Sequence, residues 1–236
     1  MRGDCLIISG FQKLTLLDFP GKTACTVFTP GCNFRCPFCH NTSLVLQPCE
    51  SERIPEGEIL AYLDKRKGIL DGVVITGGEP LLHSDIPDFL RKVKNLGYKI
   101  KLDTNGSMPE LLLRITEDGL VDYVAMDIKN SPDQYAKTVG ISDLDLSPVR
   151  RSVEILMNGD TEYEFRTTLV SGLHTQGSVK DLAKWISGAK RYYLQRFKDS
   201  GNLISPDGLS SFNEVEMKEF ADLVKPYVST VQLRGI

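Results

Sequence analysis

The chain has 236 residues, a formal net charge of −3 and a sequence pI near 5.7, with 41% hydrophobic and 25% charged residues. That balance describes an ordinary soluble globular protein whose core stands without disulfide staples, and it excludes a general attraction to nucleic acid or to an anionic membrane. The apolar stretch near the N-terminus, Leu6–Ile8, is too short for a signal-peptide core, and no run approaches the ~18 apolar residues of a membrane helix.

The chain is therefore expected in the cytoplasm, as a single domain over residues 1–236 with its core from about residue 18. In that compartment the six cysteines, Cys5, Cys25, Cys32, Cys36, Cys39 and Cys49, read as thiols or metal ligands rather than disulfides.

In chain order, Cys5–Leu17 reads as a short hairpin, with Gly10-Phe-Gln-Lys13 as its turn. Ala24–Thr29 is apolar and β-prone, and it ends at Pro30-Gly31. Ile59–Tyr62 sits in an amphipathic helical stretch, and Gly72–Ile75 is a buried strand ending at Thr76-Gly-Gly78. Ile86–Leu96 is helical by periodicity and stops at Gly97. Tyr98–Leu102 is a strand, Met108–Glu117 a helix and Tyr123–Met126 a strand. Ser147-Pro148 opens a helix that stops at Gly159, and Tyr163–Val170 is a strand. Ser178-x-x-Asp181 and Ser211-x-x-Glu214 read as capping boxes opening two helices. Tyr192–Leu194 lies between those helices as a strand, and Thr230–Leu233 is the last one.

Six strand-then-helix units in succession favour a parallel sheet with helical crossovers. Eight would close a full barrel, so six point to a shorter, open barrel or a doubly wound sheet, and the fold expected is a partial, open (β/α)6 barrel of the TIM kind with a short N-terminal extension. In such folds active sites lie at the C-terminal ends of the strands. Cys32–Cys39, Gly77–Pro80, Asp103–Gly106 and Asp127–Lys129 each follow or finish a predicted strand.

Cys32-Asn-Phe-Arg-Cys36-Pro-Phe-Cys39 places three thiols within eight positions. Three thiolates on a cubane iron–sulfur cluster leave one iron open to a small molecule, whereas a structural zinc wants a fourth protein ligand. His40, Cys25 or Cys49 would supply that ligand, so a non-catalytic zinc module stands as an alternative. Cys5, Cys25 and Cys49 otherwise read as isolated core or surface thiols.

The C-x3-C-x2-C spacing with Phe38 before the third cysteine resembles the radical S-adenosylmethionine (SAM) superfamily. The resemblance implies that Cys32, Cys36 and Cys39 hold one oxygen-sensitive 4Fe–4S cluster whose open iron chelates SAM, in an oxidoreductase of anaerobic metabolism. Thr76-Gly77-Gly78-Glu79-Pro80 resembles that superfamily's SAM-amine motif, with Glu79 as the acceptor for the ammonium. Asp103-Thr104-Asn105-Gly106 and Asp127-Ile-Lys129 are similar to motifs of glycyl-radical-activating enzymes. There they imply SAM contacts and a monovalent cation beside Asp103, Thr104 and Asp127. Their plain readings are an Asx turn and a salt-bridged pair. Arg166 stands where family members place an arginine near the SAM carboxylate, and it shares a face with Glu164. Gln195 lies where pyruvate formate-lyase activating enzymes carry a SAM-contacting histidine, and it is read as a hydrogen-bonding substitute. His40 and His83 read as the only histidines near these loops, and Trp185 as core.

Leu17-Asp-Phe-Pro-Gly21 ahead of Thr29-Pro-Gly-Cys-Asn-Phe-Arg-Cys-Pro-Phe-Cys-His-Asn41 resembles the activating proteins of anaerobic ribonucleoside-triphosphate reductase and of pyruvate formate-lyase. The resemblance implies a protein partner that stores a glycyl radical and a flavodoxin- or ferredoxin-type electron donor. The chain lacks the cysteine-rich ferredoxin insert of some such enzymes, which fits the single-cluster branch. The alternative within the superfamily is a small-molecule enzyme similar to 7-carboxy-7-deazaguanine synthase.

Overall fold

The computed structural model describes residues 6–49 and 53–236. Cys5 and the start of the expected hairpin lie outside the described residues. The chain divides into two compact units, Met1–Asn33 with Ser43–Val124, and Phe34–Thr42 with Ala125–Ile236.

In the first unit β1 (Gly10–Thr15), β2 (Ala24–Thr29), β3 (Gly72–Gly77) and β4 (Lys99–Thr104) follow one another in spatial order. β1 is antiparallel to β2, while β2, β3 and β4 are parallel, with Thr26 opposite Val74 and Val74 opposite Lys101. β2 and β3 are near-continuous buried runs, whereas β4 alternates charged and apolar residues as Lys-Ile-Lys-Leu-Asp-Thr. Helices α1 (Thr42–Leu46), α2 (Glu56–Lys65), α3 (Ile86–Asn95) and α4 (Pro109–Glu117) lie between and after them in the chain. Phe19, from the Leu17–Gly21 motif, packs with Ala24, Val74 and Tyr123.

The second unit orders β5 (Tyr123–Asp127), β6 (Glu162–Leu169), β7 (Tyr192–Arg196) and β8 (Val231–Arg234). β6, β7 and β8 are parallel, with Arg166 opposite Tyr193 and Gln195 opposite both Thr168 and Arg234. Its helices are α5 (Pro132–Val139), α6 (Ser147–Asn158), α7 (Gln176–Trp185) and α8 (Glu214–Val224). α7 and α8 pack against each other.

The α/β class and the six strand–helix steps are as the sequence predicts. Three local expectations are corrected. Gly10–Lys13 is not a turn: it lies inside β1, where Gly10, Phe11 and Gln12 pair with Phe28, Val27 and Thr26 of β2. α7 is opened not by Ser178-x-x-Asp181 but by Thr175, whose hydroxyl accepts from Ser178 N while Ser178 Oγ accepts from Thr175 N. α8 is opened by Asn213 and Glu216 rather than Ser211 and Glu214. In both cases a second polar residue at the right spacing made a competing box. α5 and the five-residue α1 went unseen, as did a 3₁₀ turn at Pro80–Leu82, since each is too short to show a period.

Candidate functional site

In the first unit the two glycines after β3 are needed for backbone packing. A Cβ on Gly77 would sit 2.2 Å from Thr29 O, and one on Gly78 only 1.8 Å from Gly31 O. Gly77 also has φ of +132°. Gly78 N donates to Thr29 O at 2.9 Å and Glu79 N to Gly31 O at 2.8 Å, so this turn is locked onto the exit of β2. The backbone these glycines approach is that of the β2 exit.

Glu79 is fully buried. Its Oε1 accepts from Leu81 N (3.1 Å) and Thr104 Oγ1 (2.8 Å), and its Oε2 from Asn105 N (2.6 Å). The carboxylate therefore ties the β3 exit to the β4 exit with charge-assisted bonds. Asn105 Oδ1 accepts from Ser107 N, which is the Asx turn of the plain reading. Asn105 Nδ2 donates to Asn33 Oδ1 at 2.9 Å and lies 3.7 Å from Cys32 Sγ. Asp103 pairs with Lys101, a lysine 2% exposed in the middle of β4. Lys101 escaped the sequence reading, because a charged residue in an apolar strand reads as an edge position. His83 Nε2 meets Pro30 O at 2.9 Å.

In the second unit Cys36 and Phe38 are buried and Cys39 is half-buried. Cys39 N donates to Cys36 O at 3.0 Å, closing a turn, and Arg35 N donates to Val139 O at 2.8 Å. The β7–α8 connection braces this loop. Ser205 N donates to Pro37 O (3.0 Å), Thr42 Oγ1 to Asn202 O (2.8 Å), and His40 Nε2 meets Lys198 O (2.7 Å). The His40 ring also stacks on Phe197 at 5.9 Å between centroids.

Asp127 ends β5. Its Oδ2 accepts from Lys129 Nζ at 2.9 Å and its Oδ1 from Arg166 Nε at 2.8 Å. Burial alone pushes this carboxyl up, but the Arg166 and Lys129 charges outweigh it and hold it well below the usual carboxylate range. Burial likewise opposes the charge on Lys129, yet Asp127 and then the neighbouring Cys36 thiol raise the ammonium above its ordinary value. The salt-bridged pair of the plain reading is thus present, with Arg166 as a third member. Glu164 shares the β6 face with Arg166 as expected and is held at both oxygens by Arg234 (2.9 and 3.0 Å). Gln195 is half-buried in β7.

A third histidine corrects the expectation that only His40 and His83 approach these loops. His174, from the β6–α7 connection, meets Lys129 O at 2.8 Å. It lies 45 residues away in the chain, which is why no local pattern marked it. Cys25 is buried in β2, where burial pushes its thiol up to about 12, and Cys49 is exposed. Trp185 is half-buried edge-on to Tyr135, 6.0 Å between centroids, with Arg150 over its ring.

Residues 26–186 match the model of the radical SAM superfamily. The chain belongs to that superfamily. A relative in Methanocaldococcus jannaschii, named "Putative glycyl-radical enzyme activating enzyme", is 28% identical over 235 residues, 98% of this chain and 96% of its own length. The 7-carboxy-7-deazaguanine synthase of Halobacterium salinarum is 36% identical over 199 residues, 81% of this chain and 74% of its own. A domain of pyruvate-formate lyase-activating enzyme from Bacteroides vulgatus superposes with a TM-score of 0.53 at 20% identity, covering 70% of this chain and 99% of that one. TYW1 with a lysine-pyruvate adduct superposes at 0.63 and 14% identity, covering 87% and 74%. These two likenesses show a shared fold.

As a radical SAM enzyme of the oxidoreductase type, this protein takes an iron–sulfur cluster and SAM as its cofactors. Its cysteine loop suits thiolate ligation. Cys32 Sγ lies 3.7 Å from the Asn105 amide nitrogen, and the Lys129 ammonium feels the Cys36 thiol. Among the described residues no helix is long and apolar enough to cross a membrane.

Proposed function

We propose that this radical SAM enzyme is an activating enzyme that generates a glycyl radical on a partner protein, the partner being of the anaerobic ribonucleotide reductase kind. The observation that carries this reading is the end-to-end match to the Methanocaldococcus jannaschii relative, over 98% of this chain and 96% of that one. Cys32, Cys36 and Cys39 hold a single 4Fe–4S cluster, with the buried Phe38 before the third cysteine. When bound, the cluster supplies the electron that cleaves SAM, whose 5′-deoxyadenosyl fragment takes a hydrogen atom from the glycine Cα.

The chain's own residues orient SAM. Gly77 and Gly78 form the floor for its methionyl end. Glu79, committed to Leu81, Thr104 and Asn105, shapes that floor by holding two strand exits together. Asp103, Thr104 and Asn105 face SAM from β4, Asp127 and Lys129 from β5, Arg166 from β6 and Gln195 from β7. A monovalent cation joins Asp103, Thr104 and Asp127. A flavodoxin- or ferredoxin-type protein delivers the electron, and the cytoplasm is the compartment.

The second reading, a small-molecule radical SAM enzyme, is favoured by the 36% identity to the deazaguanine synthase. One anaerobic experiment separates the two. Reduced, cluster-loaded protein and SAM are mixed with a glycyl-radical protein of the same host and examined by EPR. A glycyl doublet supports activation. SAM cleavage with no radical on any such partner refutes it, and zinc with no SAM cleavage refutes both readings.

A further inference from the structure

The loop Asp127–Ser131 leaves β5 with three consecutive carbonyl groups, and each meets a side chain from elsewhere in the second unit. Tyr135 OH lies 3.5 Å from Asp127 O. Thr167 Oγ1 donates to Ile128 O at 2.5 Å and itself accepts from Tyr192 OH at 2.7 Å. His174 Nε2 lies 2.8 Å from Lys129 O. Asn130 then turns inward, donating from Nδ2 to Leu173 O and to Thr138 Oγ1, both at 2.9 Å, while its Oδ1 accepts from Ser131 N. Thr167, Tyr192, Asn130 and Thr138 are 1% exposed or less, and His174 is 4% exposed.

Such a concentration of buried polar groups beneath one short loop is costly unless every group is satisfied. Hydrophobic packing would hold the loop in place at less risk. Hydrogen bonds add direction: they fix the rotation of each peptide plane, and with it where the Asp127 and Lys129 side chains point. His174 is specified for this. Its Nδ1 lies 3.1 Å from Val170 N and 3.2 Å from Val170 O, and the tautomer in which Nδ1 accepts from Val170 N carries its proton on Nε2, toward Lys129 O at 2.8 Å. Burial lowers its pKa, which favours the neutral ring.

We propose that His174, seconded by Thr167, is a positioning residue that sets the main chain at Ile128 and Lys129 and thereby aims the Asp127 and Lys129 side chains at SAM. This rests on the reading of Asp127 and Lys129 as SAM contacts. The amide nitrogen of Gln reaches the place of His Nε2, whereas Asn reaches only the place of Nδ1. His174→Gln therefore keeps the bond to Lys129 O, and His174→Asn keeps only the bond to Val170.

The test is equilibrium dialysis of SAM against full-length, cluster-loaded protein without reductant, alongside iron content, the thermal midpoint, and amide exchange at residues 128–131 in cluster-free protein. His174→Asn and Thr167→Val are expected to weaken SAM binding on the order of tenfold at unchanged iron content, the range seen when a supporting hydrogen bond is lost behind a ligand. Exchange at 128–131 rises with them. His174→Gln is expected to stay within about twofold of wild type.

Asp127→Asn is the control for the underlying reading. If it binds SAM as wild type does, that reading fails and carries the proposal with it. If it weakens binding while His174→Asn does not, the proposal alone is overturned. Equal losses from Gln and Asn, tracking the thermal midpoint, also overturn it. Should His174→Asn fail to fold, Thr167→Val is read in its place with the same two outcomes.

Discussion

Glu79→Gln distinguishes a carboxylate that binds SAM from one that holds the fold. In the first unit the wild-type side chain accepts from Leu81 N, Thr104 Oγ1 and Asn105 N, and the three donor residues are themselves buried. A glutamine keeps one acceptor oxygen. Placed at the Oε1 position, it retains the Leu81 and Thr104 bonds as neutral ones, and its NH2 group then faces the Asn105 N–H. Loss of charge assistance costs about 1 kcal/mol per retained bond, and a buried N–H left without an acceptor costs about 1–3 kcal/mol. Relief from burying an ionised carboxylate offsets part of this. The net destabilisation is about 2–4 kcal/mol, or roughly 5–15 °C in Tm for a chain of this size. The assay is thermal and urea unfolding of cluster-free protein, with SAM binding measured separately on reconstituted protein. A Glu79→Gln variant that melts with wild type while losing SAM affinity would refute the tie and return Glu79 to the role of ammonium acceptor.

Gly78→Ala should fail to accumulate as folded protein, since its Cβ would lie 1.8 Å from Gly31 O; normal expression and melting would contradict the packing described. Gly57→Ala should stabilise, because the site is inside α2 with nothing within 4 Å of the added Cβ; the expected gain is about 0.5–1 kcal/mol, read by urea unfolding. The Asp127 carboxyl is held below its unfolded value, so its contribution is complete above pH of about 4 and is lost as pH falls through the lower folded value. Asp127→Asn should thus be less stable than wild type at pH 7, on the order of 2 kcal/mol, with the gap closing in acid; a gap that widens on acidification would reverse the sign of the argument. Alanine at Cys32, Cys36 or Cys39 should abolish SAM cleavage and iron loading, while Cys49→Ala leaves both intact; equal loss from all four would remove the cluster assignment.

Much of this protein is legible in its sequence, because the signals are local. The parallel strands β2 to β4 are short segments followed or closed by Gly, Pro or Asp, and they fall within two residues of where the pattern puts them. The three cysteines and Phe38 lie within eight positions, and Gly77, Gly78 and Glu79 are consecutive, so covalent connectivity alone assembles each of these two motifs. The superfamily follows from them. Capping was less legible: Ser178 and Ser211 each had a rival a few residues away, and only backbone geometry at Thr175 and Asn213 decided between them.

The tertiary structure decided which polar groups face each other. Glu79 looks like a ligand acceptor in the sequence and becomes a fully buried tie once Thr104 and Asn105, 25 and 26 residues on, are folded against it. His174 carries no local signal, and it acquires a place beside Lys129 only because β5 and the β6 exit are brought together. Sequence spacing fixed the cysteines and the loops that follow the strands. The internal partners of those loops come from distant positions, since a buried hydrogen bond depends on three-dimensional proximity and leaves no period in the chain.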